Sequence, residues 1–173
     1  MVATVVVLAM VTGCSPQPPH PAPSPTPSPR FTSEADAYKA AEDTYRAYVD
    51  ALNAVDISDP ATFEDVYRWA TEGRQSADKK TLTAYHAENV SMLGSTRILS
   101  LTATEATPPL DEVVLAACVD VSSVDIRSED GASLVSPDRP DVQSVAVEVH
   151  GSDGSPTGFV VAAIGGRTEG PAC

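Results

Sequence analysis

The chain has 173 residues and a formal net charge of −13, with 11 Lys and Arg against 24 Asp and Glu. That balance excludes nucleic acid as a partner, because a phosphate backbone is bound by releasing counterions from clustered basic contacts, and Lys79-Lys80 is the only adjacent basic pair. It also opposes docking on an anionic lipid surface and fits solubility outside the cell. Hydrophobic residues make up 42% and aromatics 5% of the chain, so one folded domain is expected, with a core of Val, Leu and Ala around a few placed Tyr and Phe.

In chain order, Val2 to Val11 is an apolar run of signal-peptide length, well short of the roughly 20 residues that cross a bilayer. Val11-Thr12-Gly13-Cys14 follows it directly and resembles the lipobox of bacterial lipoproteins. The resemblance implies that residues 1–13 are removed and that Cys14 carries diacylglycerol. The mature protein would then be anchored on the extracytoplasmic face of the cell membrane, durably, since more than one chain holds it. No Lys or Arg precedes Cys14. The positive end of the signal is therefore either the α-amino group or a segment upstream of Met1.

Residues 14–30 form the next segment. From Ser15 to Pro29 proline recurs at nearly every second position, which removes donors and pushes neighbours out of the helical region. A polyproline II spacer without a core of its own is expected, about 45 Å long at ~3.1 Å per residue.

A single α+β domain is expected over residues 31–173. Ser33 caps a helix, with Asp36 completing a capping box, and Tyr38, Ala41, Tyr45, Tyr48, Val49, Leu52 and Val55 form its apolar stripe. Asp59-Pro60 starts a second helix carrying Phe63, Val66, Tyr67 and Ala70, ended by Gly73. Ser76 to Ala87 reads as a third. The period then changes to two: Ile98 to Thr107, with Leu99, Leu101 and Ala103 on one face, breaks at Pro108-Pro109. Val113 to Val121 is a second strand, with a bulge expected near Ser122-Ser123 and a turn at Glu129-Asp130-Gly131. Val145, Val147 and Val149 mark a third strand, Ser152-Asp153-Gly154 a hairpin turn, and Phe159 to Ile164 a fourth. Helices followed by hairpin-connected strands predict helices packed on an antiparallel sheet of about four strands.

The stretches Tyr45-Arg46-Ala47-Tyr48-Val49-Asp50-Ala51-Leu52-Asn53 and Phe63-Glu64-Asp65-Val66-Tyr67-Arg68-Trp69, in this order of elements, resemble small actinobacterial lipoproteins of the nuclear transport factor two-like (SnoaL-like) superfamily. The resemblance spans about Thr32 to Cys173. It implies a curved sheet wrapped on a long helix, a cone that often holds a pocket. Isomerases, dehydratases, binding proteins and scaffolds share that fold, so the fold alone assigns no chemistry.

With Cys14 lipidated, Cys118 and Cys173 remain as an even pair in an oxidising compartment. They either form a disulfide, closing a loop of about 56 residues worth roughly 4 kcal/mol, or persist as two free thiols. The residues placed to line a pocket are Tyr45, Tyr48, Trp69, Tyr85 and Asp120. Asp120, in an apolar strand, is the one carboxylate whose pKa burial could raise; a wet position at a sheet edge is the alternative. His86 and His150 stand near element ends, where histidines are usually exposed. No catalytic residue, metal ligand or cofactor is assigned. The leading expectation is a non-enzymatic binding or accessory domain of the cell envelope, taking a small apolar ligand or an envelope protein. The alternatives are a small SnoaL-like enzyme with Asp120 as acid or base, and a purely structural envelope protein.

Overall fold

The structure, a computed structural model, describes Arg30–Cys173. The expected signal peptide, Cys14 and all of the spacer up to Pro29 lie outside the described residues.

Helix α1 (Glu34–Asn53) begins where Ser33 accepts a hydrogen bond from the Asp36 amide and donates one to its carboxylate at 2.7 Å. Of the expected stripe, Ala41, Tyr45, Tyr48 and Val49 are buried and Tyr38, Leu52 and Val55 are half-buried against the core, while Ala37, Thr44 and Ala51 are buried in addition. A 3-10 turn (Pro60–Thr62), capped by Asp59, leads into the short α2 (Phe63–Tyr67). Helix α3 (Glu72–Ala87) starts four residues earlier than the sequence pattern indicates. Gly73 does not end the second helix. It sits in the first turn of α3, because the Thr71 hydroxyl accepts from the Arg74 amide and caps the helix there. Between α2 and α3 the chain lies against the sheet: the Thr71 amide donates to the Val161 carbonyl at 2.8 Å, and the Val161 amide to the Trp69 carbonyl at 2.7 Å.

The main sheet is wholly antiparallel, in the order β2 (Arg97–Thr107), β3 (Glu112–Asp120), β5 (Val142–Gly151), β6 (Phe159–Gly166). It curves around α1 in an α+β architecture. A separate two-stranded ribbon pairs β1 (Ser91–Leu93) with β4 (Asp125–Arg127), which the alternation pattern does not reveal. The bulge expected after β3 is instead the crossing from the main sheet to this ribbon. Gly94 permits it: φ is +77°, and a Cβ there would lie 1.8 Å from the Ser123 carbonyl oxygen.

Val113, Leu115, Ala117 and Val119 of β3, Val145, Val147 and Val149 of β5, and Phe159 and Val161 of β6 point at α1 and α2 and form the core. Leu99 is not among them. A register shift between Ile98 and Ser100 turns it outward, where it is 55% exposed, and Ile98 and Leu101 pack inward in its place. Gly165 and Gly166 do not reverse the chain; they still pair with Ala146 and Val145. The reversal comes later, at Gly170 (φ +88°), and the tail then crosses the face of the sheet turned away from the helices. There Cys173 is joined to Cys118 by a disulfide, with Cα atoms 5.5 Å apart.

Phe159 is fully buried and its ring stacks on Phe31 at 4.8 Å. Phe159→Ala should lower unfolding free energy by about 3–5 kcal/mol, while Leu99→Ala should stay within about 0.5 kcal/mol, both read from urea denaturation. A large loss at Leu99 would contradict its outward placement.

Candidate functional site

The space between α1 and the sheet is occupied by buried side chains. Tyr45 and Tyr48, three apart on α1, stack at 6.5 Å between ring centroids and are buried. A buried hydroxyl must be paired, and that of Tyr48 donates to the Asp78 carboxylate at 3.1–3.2 Å while accepting from Arg74 Nε at 3.1 Å. Arg74 and Asp78, one turn apart on α3, complete the network as an ion pair. Burial, then the neighbouring Asp78 charge, pushes the Tyr48 phenol well above its ordinary value, and burial pushes Tyr45 up to about 12 against the opposing Arg74 charge. Both stay protonated at neutral pH. The network's chemistry is to lock α3 onto α1, because its donors and acceptors are spent on one another.

Trp69 and Tyr85 are half-buried at the margin of the core. Trp69 is held by its backbone against β6, and Tyr85 sits on α3, its carbonyl accepting from the Val90 amide. Asp120 lies on the opposite face of the sheet from the tyrosines, since β3 alternates and Val119 points inward. The five residues expected to line one pocket are therefore not gathered in one. The Asp120 carboxyl is also moved opposite to the direction that burial favours. The Ser122 hydroxyl and amide, at 2.6 and 2.9 Å, and then Arg97 across the strand pair lower its pKa to about 2. A carboxylate so stabilised is a weak base. The sequence signal for this was Asp120-Val121-Ser122, an aspartate two residues ahead of a serine at a strand end.

His86 is exposed, as expected, and its Nδ1 lies 2.7 Å from the Ile57 carbonyl oxygen while its ring meets Phe63 edge-on. Two concavities formed by described residues open on the outside. One of about 260 Å³ lies between the tail and the outer sheet face, with Val114, Ala116 and Ala146 as floor and Glu105, Arg167 and Glu169 at the rim. Another, of about 400 Å³, lies at the end of the sheet between Arg30, Pro109, Glu112 and His150.

No protein-family model matches the sequence, and no curated protein matches it. Among solved structures, the intermembrane space region of chloroplast protein ARC6 superposes with a TM-score of 0.52 at 11% identity, over 76% of this chain and 97% of that one. A protein named as a candidate aromatic ring hydroxylase of Novosphingobium aromaticivorans gives 0.49 at 14% identity, over 79% and 96%. CagV, a VirB8 homologue of the T4SS of Helicobacter pylori, gives 0.45 at 12%, over 73% and 95%. The first of these shares the fold, and at that identity nothing more follows from it.

The depressed pKa of Asp120 makes a signed prediction. Its folded value, about 2, lies below the ordinary value of 3.8, so the stabilisation is present above about pH 4 and is lost as pH falls through about 2. Asp120→Asn should be less stable than the parent at pH 7, and the gap should close towards pH 2, measured as urea midpoints. Because the Ser122 bonds are the larger cause, most of the gap should survive 0.5 M salt; its disappearance in salt would leave only the exposed Arg97 pair. Cys173→Ser should cost about 4 kcal/mol through the unfolded state, and two titratable thiols in the denatured, non-reduced domain would show that no disulfide forms.

Proposed function

We propose that this chain is a membrane-anchored lipoprotein whose folded domain stands on the extracytoplasmic side and acts as a non-enzymatic accessory of the cell envelope, through its outer surface. The observation that carries the reading is the filled interior. Tyr48 and Phe159 are fully buried where a cone enzyme would keep its cavity, and the polar groups beside Tyr48 are satisfied internally. An acid or base needs a free lone pair or proton facing a substrate, and Asp120 has neither the position nor the pKa for it.

Three further features support the location. The Val11-Thr12-Gly13-Cys14 sequence resembles a lipobox. The Cys118–Cys173 disulfide suits an oxidising compartment. Among the described residues no helix is long and apolar enough to cross a membrane, so the proposed attachment is by lipid. The chain enters the domain at Arg30, which is ion-paired to Asp111 and Asp153 at one end of the sheet. A spacer ending there would turn that end towards the membrane and the opposite end, with the β1–β4 ribbon, away from it. A partner protein suits the outer face better than a small apolar ligand, because charged and polar groups rim both concavities there, Glu105, Arg167 and Glu169 under the tail and Arg30, Asp111, Glu112 and His150 at the sheet end. An apolar ligand would desolvate them without offering hydrogen bonds.

Intact mass of the protein extracted from its native membrane tests both halves. The polypeptide should begin at Cys14 and carry diacylglycerol, Cys14→Ala should abolish the modification, and native spectra should show no small molecule retained in the domain. Unmodified Cys14 in the membrane fraction would refute the anchor. A stoichiometric organic ligand surviving detergent removal would overturn the filled interior and restore a small-ligand reading.

A further inference from the structure

Glu112, Glu148 and His150 are brought together by the register of the two central strands. Glu112 pairs directly with His150 across β3 and β5, and Glu148 stands two residues along β5 on the same face. One donor atom from each side chain lies within 4.8 Å of the other two, and His150 Nε2 is paired with the Glu148 carboxylate. This face is the one turned away from α1, since the intervening Val113 and Val149 are core residues. Its direct cross-strand partners are uncharged, Thr107 opposite Glu112 on β2, and Val160 and Ala163 opposite His150 and Glu148 on β6, while Glu105 lies further off on β2, beyond Val114. Arg30, the nearest cation at that end, is already engaged by Asp111 at 3.6 Å and Asp153 at 2.6 Å. Two carboxylates are thus held side by side with one imidazole between them, at the edge of the 400 Å³ concavity.

We infer that Glu112, Glu148 and His150 form a binding site for a divalent metal ion of the zinc class. The donor set suits such an ion: one imidazole nitrogen and two carboxylate oxygens favour a borderline cation over magnesium or calcium, which prefer oxygen alone. Bonds of about 2.0–2.2 Å at a tetrahedral angle place ligand atoms about 3.4 Å apart. The terminal torsions of the glutamates can close the group from 4.8 Å to that spacing without moving the backbone. The ion would take the place of the His150–Glu148 hydrogen bond and would relieve the repulsion between the two carboxylates. Three protein ligands leave a fourth position for water or for a side chain of a partner, facing the concavity.

Zinc titration of the untagged full chain, carrying Cys14→Ser so that no free thiol competes, decides the matter. Calorimetry after chelator treatment should show one site in the micromolar range or tighter, and magnesium should not bind measurably. His150→Ala, with His20 and His86 intact, should weaken zinc by at least about tenfold, the lower bound seen when even an outer partner is lost. Glu148→Gln should also weaken it, with unchanged far-ultraviolet dichroism in both variants. The His150 ring resonances should shift on zinc addition while those of His86 do not. Absence of stoichiometric binding, equal binding of magnesium, or zinc affinity unchanged in both variants would each overturn the site, leaving His150 and Glu148 as a plain surface pair.

Discussion

Strand β3 is covered on both faces, and the rest of the architecture accommodates that. From Leu115 to Asp120 every residue is buried. One side meets α1 through Leu115, Ala117 and Val119. The other, bearing Ala116 and Cys118, would face water in a simple two-layer fold. The chain solves this with its own C-terminal segment. Arg167 donates its amide to the Ser144 carbonyl at 3.1 Å, the tail passes over Ala116 and Ala146, and Cys173 is bonded to Cys118. A disulfide is the fitting fastener, because a short tail of Arg167, Thr168, Glu169, Gly170, Pro171 and Ala172 has too little apolar surface to hold itself down.

The inner side of β3 depends on the size of its partners. Ala37 and Ala41 let the first half of α1 approach the sheet, and Tyr45, Tyr48 and Val49 fill the wider half. Filling the cone with tyrosine brings a hydroxyl into the core, and α3 carries the groups that satisfy it. This explains why α3, otherwise a mostly exposed helix with Leu82 as its one buried apolar residue, has a buried aspartate. Tyr48, Asp78 and Arg74 are one structural unit spanning two helices. Removing a single member would strand the others without partners, a costlier change than replacing all three with apolar residues.

The two faces of the sheet therefore carry different kinds of polar group. Inside, the polar atoms are paired with one another. Outside and at the sheet ends lie groups with capacity to spare: the Glu112, Glu148 and His150 set, and the rim residues Glu105 and Glu169 beside the tail. This division favours the exterior for the recognition proposed above.

Local pattern determined what local physics controls. The cap at Ser33, the stripe of α1, the alternation of β3 and β5, and the pair of thiols at Cys118 and Cys173 could all be read from the sequence, because each depends on spacings of two to four residues or on chemistry alone. What failed was whatever required knowing a distant neighbour. Leu99 has the right phase for the core and lies outside it, because the register with β3 slips beside it. Gly73 looks like a stop and is a helix start, because Thr71 both caps α3 and pairs with Val161. Asp120 looked like a carboxylate in an apolar strand; its partners Arg97 and Ser122 made it a structural anion. The pairing of β1 with β4, the meeting of Tyr48 with Asp78 and the gathering of Glu112 with Glu148 and His150 join residues some 30 or more positions apart. Such contacts are fixed by how the helices and strands pack together, and no short-range periodicity in the chain records them.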